Sequence, residues 1–355
     1  MLRPLSRSFC RRIFSIGSSA LPHRSSATTR QIYGLKARHR FCLTGTPIEN
    51  NLAELWSLFH FIAPGFLGDA KSFARDWRTP IEKKGNGARA RMLAARVRPF
   101  LLRRTKDAVA LDLPSKTEMV EAVAFEPAQQ AIYDTIRLAM HERVREAMAD
   151  KGLARSRIVL LDALLKLRQT CCDPRLLKGV KGAETAGSAK LERLMEMVQE
   201  LVAEGRKLLI FSQFTSMLAL IQPRLEAAGI AYCLLTGDTR DRAGAVAAFQ
   251  DGPAPVFLIS LKAGGVGLNL TAADTVILYD PWWNPAVEAQ AIDRAHRIGQ
   301  TKPVFVFKLT AVGTIEEKIE VLKDRKAALA ASLFDPDGPA TLDITEADID
   351  MLFGA

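Results

Sequence analysis

Five short apolar runs, at 207–211, 231–235, 256–260, 275–279 and 304–309, alternate with segments of helical periodicity through the C-terminal half of the chain. Apolar runs this short and unbroken suit strands covered on both faces, and helices between them supply the crossovers that parallel strands require. The expected fold class is α/β, a doubly wound parallel sheet. Such sheets bind ligands in the crevice beyond the carboxyl ends of their strands. Polar clusters directly follow several of these runs, so the strand ends are where chemistry is to be sought.

Upstream the pattern differs. A β-capable run, Phe41-Cys42-Leu43, leads into Thr44-Gly45-Thr46-Pro47. Leu52, Leu55, Trp56, Leu58, Phe59, Phe61 and Ile62 then recur at helical spacing, which gives strand, tight turn and helix. From 65 to 189, Gly/Pro-rich breaks alternate with long helical patterns such as 127–150 and 156–171, which predicts a mainly helical insert with a mobile loop at 178–188. A closing helical pattern at 314–332 precedes an acidic tail. The first 24 residues are rich in Arg and Ser, contain no acidic residue, and have the composition of an organelle transit peptide. The apolar stretch after Arg11-Arg12 is too short for a twin-arginine export signal. A truncated or misread start explains the same composition and is the preferred reading. No internal repeat is present.

The 355 residues suffice for two or three units, each with its own core. With 48% hydrophobic and 25% charged residues the composition is that of a globular chain, neither disordered nor membrane-like. No run of about 18 apolar residues offers a spanning helix. A formal net charge of +10 invites a nucleic-acid reading, but nine Lys or Arg and no acidic residue fall within residues 1–40, leaving 40 basic against 39 acidic residues in the rest. Any basic groove in the folded body must therefore come from local arrangement. Cys10, Cys42, Cys171, Cys172 and Cys233 show neither C-x-x-C nor zinc spacing, and the adjacent Cys171-Cys172 reads as a packed, reduced pair in a reducing compartment.

Four clusters carry chemistry. In Gln290-Ala-Ile-Asp293-Arg294-Ala-His296-Arg297-Ile-Gly299-Gln300, two arginines three apart would share one helix face, and guanidinium groups suit forked contact with phosphate oxygens. A solvated helix face is the bland alternative. Ser260-Leu-Lys262-Ala-Gly264-Gly265-Val-Gly267-Leu-Asn269 follows a strand, and its glycines would let backbone N–H groups approach a phosphate or sugar, or simply turn the chain. Ser212-Gln213 ends another strand and either meets a phosphate or caps the next helix. Thr44-Gly45-Thr46-Pro47 either relays nucleotide state to a bound strand or starts a helix. The printed sequence has no G-x-x-x-x-G-K-[ST] run, because Ser188-Ala189 follows Gly182 and Gly187, and it has no Asp-Glu dipeptide.

Taken together, LTGTPIENNLAELWSLFHFIAPGFLG, PFLLRRTKDAVALDLPSKTE, KLLIFSQFTSML, LISLKAGGVGLNLTAADTVILYDPWWNP and QAIDRAHRIGQ resemble the Swi/Snf-type DNA-dependent ATPases of helicase superfamily two, over about 25–332 and in the family's order. The resemblance implies two RecA-like lobes that clamp ATP with Mg and track along double-stranded DNA or protein–DNA complexes. It divides the chain into an unrelated basic segment (1–24), a remnant of the first lobe (25–64), a mainly helical connector (65–189), the second lobe (190–332) and an acidic tail (333–355).

By the same resemblance Thr44 and Gly45 couple the nucleotide site to DNA, Ser212 and Gln213 contact DNA phosphate, and Ser260 and Lys262 belong to a motif touching DNA. Gly265, Gly267 and Asn269 approach the nucleotide sugar, Gln290 and Asp293 belong to the nucleotide site, and Trp283 lies against the DNA backbone. Arg294 and Arg297 complete the ATP site, Arg297 as the arginine finger, whereas Arg103 and Arg104 fall in the connecting helices. The P-loop and Asp-Glu box of the family are missing, so the expectation is little or no ATPase activity from these residues alone. Residues 25–64 are expected to be poorly packed, exposing the helix around Trp56. A monomer with no membrane partner is expected, cytoplasmic and associated with the nucleoid if the source is bacterial. The alternative is a non-catalytic module that binds nucleic acid or a partner protein.

Overall fold

The computed structural model describes residues 13–17, 27–43, 52–83, 85–102, 113–261, 263, 268–282, 285–321, 323 and 346–354. Two compact units divide the chain, Met1–Arg103 with Arg325–Asp343, and Arg104–Asp324 with Ile344–Ala355.

In the first unit, β1 (Ile13–Gly17) pairs in parallel with β2 (His39–Leu43), Ile13 lying opposite His39. Helix α1 (Ala27–Tyr33) precedes β2, and α2 (Leu52–Ile62) follows it. The expected exposure of α2 is not observed. Leu52, Leu55, Trp56 and Phe59 are buried among Leu67, Phe73, Ile81, Ala90, Leu93 and Val97, while Leu58 and Phe61 pack towards Ile32, Tyr33 and Cys42. The insert itself supplies the cover. Asp69 caps α3 (Ala70–Phe73), a π-helical stretch runs over Ala74–Lys83, and Asn86 caps α4 (Gly87–Val97). Trp56 Nε1 donates to the Gly68 carbonyl at 3.1 Å, so its polar atom is satisfied inside the cluster.

The second unit is built on a six-stranded sheet of order β3-β8-β7-β4-β6-β5, every neighbouring pair parallel. Five strands, β4 (Leu208–Ser212), β5 (Tyr232–Leu235), β6 (Val256–Ser260), β7 (Thr275–Leu278) and β8 (Val304–Ala311), lie within two residues of the runs read from sequence. Strand alternation sends β4 side chains to opposite faces. Leu208 and Ile210 meet α7 (Ala189–Ala203) and α8 (Thr215–Ala227) through Leu194, Val198, Met217 and Leu218. Leu209 and Phe211 join Phe249 of α9 (Arg242–Asp251) and Ala291 of α10 (Pro285–Ile292). Burying a side chain of this size stabilises by about 1.5–3 kcal/mol, which fixes the strand register.

Three observations add to the reading of 65–355. β3 (Lys116–Val123) arises within the stretch read as helical connector, and pairs with β8 as an edge strand. Its KTEMVEAV pattern is half polar because only part of it is covered. The segment read as a loop at 178–188 carries hydrogen-bonded turns, Ala183 N to Val180 O at 3.2 Å and Thr185 N to Gly182 O at 3.2 Å. The acidic tail ends in α12 (Glu346–Phe353), whose Leu352 and Phe353 are buried among Tyr133, Val144, Leu160 and Leu164 of the hairpin α5 (Pro127–Arg155) and α6 (Arg157–Cys172), and Ile315 and Ile319 of α11 (315–321). Cys171 and Cys172 are buried and free, as read from their adjacency.

Candidate functional site

A parallel sheet brings all its carboxyl ends to one edge. There Ser212 of β4 lies in register with Ser260 of β6, and β7 continues through Tyr279 to Asp280. The Ser212 hydroxyl donates to Asp280 Oδ2 and accepts the Phe214 amide at 3.1 Å. The Gln213 amide donates to both Asp280 oxygens, at 3.2 and 3.3 Å. Ser260 Oγ accepts the Ala263 amide at 3.2 Å, and the Leu261 amide donates to the Ser212 carbonyl at 2.9 Å. Burial pushes the Asp280 carboxyl up from its ordinary value, against the charge of Arg168 and the Ser212 hydroxyl, which pull it down.

This geometry separates two neighbouring residues. Ser212 is fully buried and its one proton is committed to Asp280, so it builds the strand end. Gln213 Nε2 is buried with no hydrogen-bond partner among the described residues, which leaves an N–H donor group for a ligand. Asp280 was not singled out from sequence, because a lone Asp after a strand has no local pattern to mark it.

The two arginines do not share a helix face as expected. Helix α10 ends at Ile292, and Asp293 onward forms turns. The cause lies in diverted carbonyls. Arg294 O accepts the Leu270 amide at 3.0 Å, and Ala295 O accepts the Gln300 side chain at 3.1 Å, so neither carbonyl continues the helical ladder. Gln300 Nε2 also reaches the carbonyls of Thr271 at 3.2 Å and Ala273 at 2.8 Å, tying the arginine turn to the segment before β7. Arg294 is therefore only 7% exposed, whereas Arg297 is exposed and donates to the Leu268 carbonyl at 3.3 Å. Arg294 Nε has no partner among the described residues, and burial, then the neighbouring Arg297 charge, push its guanidinium down from its ordinary value. A desolvated cation with an unsatisfied N–H is a site for an anion.

Gln290 is half-buried on α10, and Asp293 and Asn269 are exposed, Asn269 between the two residues whose backbone holds the arginine turn. The fold thus brings Asn269, Asp293, Arg294 and Arg297 to one region and Ser212, Gln213 and Ser260 to the strand ends. Thr44, Gly45, Lys262, Gly265, Gly267 and Trp283 lie outside the described residues. A turn at 236–240 after β5 was also missed from sequence, and is closed by the Thr236 amide on Thr239 Oγ1 at 2.9 Å. Among the described residues no group of three or more His, Cys, Asp or Glu could hold a metal ion, and no helix is long and apolar enough to cross a membrane.

A six-stranded parallel sheet with arginines and polar strand ends gathered at one edge defines a RecA-like helicase lobe. Residues 19–176 match the SNF2-related domain and residues 189–299 the helicase conserved C-terminal domain. The SWI2/SNF2 ATPase core of Sulfolobus solfataricus, solved in complex with dsDNA, is 33% identical, over 96% of this chain and 72% of that chain, with a TM-score of 0.54. The chain belongs to the SWI2/SNF2 ATPase family. YwqA of Bacillus subtilis, named provisionally as an ATP-dependent helicase/translocase, is 42% identical over 85% of this chain and 33% of its own length. The ISWI chromatin-remodeling complex ATPase ISW1 of Saccharomyces cerevisiae is 35% identical over 80% of this chain and 26% of its own length. The chain thus spans between about a quarter and a third of these curated relatives.

Proposed function

We propose that this chain supplies the closing lobe of an ATP-dependent translocase on double-stranded DNA. The observation that carries the reading is Arg294, a buried guanidinium with an unpartnered Nε beside the exposed Arg297. Those two cations suit the charge that grows on a transferring phosphoryl group, Arg297 as the finger and Arg294 as the fixed neighbour. Gln290, Asp293, Asn269, Gly265 and Gly267 are assigned to the nucleotide by their resemblance to the family's motifs. Thr44, Gly45, Gln213, Ser260, Lys262 and Trp283 are assigned to contact with the DNA backbone by their resemblance to the family's motifs, with Ser212 holding Gln213 in place through Asp280. ATP fits the arginines. Mg would neutralise phosphate charge when bound, and among the described residues no group of three or more His, Cys, Asp or Glu could hold it.

Because the sequence has no G-x-x-x-x-G-K-[ST] run, the 355 residues by themselves hydrolyse little or no ATP in this reading. The same observation favours a second reading, a non-catalytic module that binds duplex DNA or DNA-bound proteins through this lobe. A monomer associated with DNA in the cytoplasm suits both. DNA-stimulated ATP hydrolysis distinguishes them, measured on the chain alone and after adding a P-loop lobe from a relative. Hydrolysis is expected only in the mixture, and Arg297→Ala should lower it by about 10³-fold or more. Robust turnover by the chain alone overturns the missing-cradle reading, and an inert mixture that still binds duplex favours the module.

A further inference from the structure

Helix α6 lies outside the stretch matching the helicase C-terminal domain, yet one of its side chains enters the strand-end network. Arg168 is 3% exposed, donates from Nη2 to the Pro281 carbonyl, and stands 4.0 Å from Asp280 Oδ1. Its guanidinium also lies 5.6 Å from the centre of the Trp282 ring. One helical turn further on, the Cys172 carbonyl accepts the Tyr279 hydroxyl at 2.8 Å. The helix and the end of β7 run alongside each other, fixed at two points.

The carboxylate of Asp280 is consequently shared. Arg168 faces it from one side, and the Ser212 hydroxyl and Gln213 amide bind it from the other. Beyond it, the Trp282 amide donates to Glu288 Oε1 at 2.7 Å, and Glu288 is itself held by Lys323 at 2.6 Å. The Arg168, Ser212, Gln213 and Glu288 contacts all end on the segment 280–282, and the Lys323 pair holds Glu288 in turn. An ion pair serving stability alone can be replaced by apolar packing with little loss. Here the guanidinium makes a carbonyl contact, a charge contact and a ring contact at once, a combination that a compact ammonium does not reproduce.

We propose that Arg168 is a positioning residue for nucleic-acid contact, fixing the Asp280–Trp282 segment and, through Asp280, the Ser212–Gln213 strand end. The proposal rests on the duplex-DNA reading of that edge. Being buried, Arg168 touches no phosphate itself. Its loss should therefore weaken DNA binding without changing the number of counterions released, which sets the slope of log affinity against log salt.

The test uses the whole chain, a labelled DNA duplex and fluorescence anisotropy over a range of salt, with amide exchange as a second readout. Arg168→Ala and the charge-free pair Arg168→Gln with Asp280→Asn should bind at least about 10-fold weaker at each salt concentration with the wild-type slope. Arg168→Lys should fall between. Exchange should quicken at 279–292 and stay unchanged in 208–211. Unchanged affinity in the folded charge-free pair, or a shallower salt slope, overturns the proposal, as does global unfolding of all three variants. If the wild-type chain binds no duplex, the DNA reading itself fails, and Arg168 is judged by exchange alone, where unaltered 279–292 refutes its positioning role.

Discussion

Ser212→Ala separates an architectural hydroxyl from a ligand hydroxyl. The substitution removes the donor to the buried Asp280 carboxylate and leaves the Phe214 amide without its acceptor at 3.1 Å. A hydrogen bond to a charged group contributes about 1.5–3 kcal/mol, and a partly buried amide left open costs about 1 kcal/mol more. Asp280 keeps the Gln213 amide and the charge of Arg168, which caps the loss. The expected destabilisation is about 2–4 kcal/mol. With a urea m-value of about 3 kcal/mol/M, the unfolding midpoint should fall by roughly 1 M. Equilibrium urea unfolding followed by circular dichroism reads this directly, with duplex binding measured on the same samples under folding conditions. A midpoint unchanged to within about 0.2 M, together with weakened DNA binding, would show that the hydroxyl is reserved for phosphate and does not build the strand end.

Two further outcomes follow from buried and half-buried charge. Lys190 and Glu316 are fully buried and paired at 2.9 Å, so Lys190→Met should cost about 3–5 kcal/mol in urea unfolding by stranding a carboxylate, while Lys190→Met with Glu316→Gln should recover most of that loss. At the β3–β8 edge, burial raises the Glu118 carboxyl, but hydrogen bonds from Lys116 and Lys308 outweigh it and hold it at about 2. A depressed carboxyl stabilises the fold above its unfolded value of 4.5 and loses that contribution as pH falls towards about 2. After allowance for solvent screening the contribution is about 1 kcal/mol. Glu118→Gln should therefore lower stability at pH 6 and match wild type near pH 2, as read by urea midpoints across that range.

Much of the sheet was legible because its strands are buried on both faces. β4, β6 and β7 are covered along their whole length, and only uninterrupted apolar runs survive there. β3 escaped detection because an edge strand, partly open to water, keeps Lys116, Glu118 and Glu121 and shows no such run. The arginines were legible as a pair but not in their geometry. Helical spacing assumes an unbroken backbone ladder, and the partners that break it, Leu270 and Gln300, come from elsewhere in the chain or from beyond the pattern. Asp280 and Arg168 are 112 positions apart and meet only through the packing of α6 on the end of β7, so no local pattern announces either. The helix around Trp56 was read as exposed because the residues that cover it, from Leu67 to Val97, follow it and carry short, broken patterns.

Duplex DNA is expected to meet the carboxyl edge of the six-stranded sheet. Amide exchange on the whole chain, with and without a DNA duplex longer than its footprint, tests it most directly. Binding should slow exchange at 236–240, 260–270 and 280–283 while leaving the opposite edge, around 204–207 and 252–255, unchanged. Protection at that opposite edge, or uniform exchange despite saturating duplex, would contradict the account.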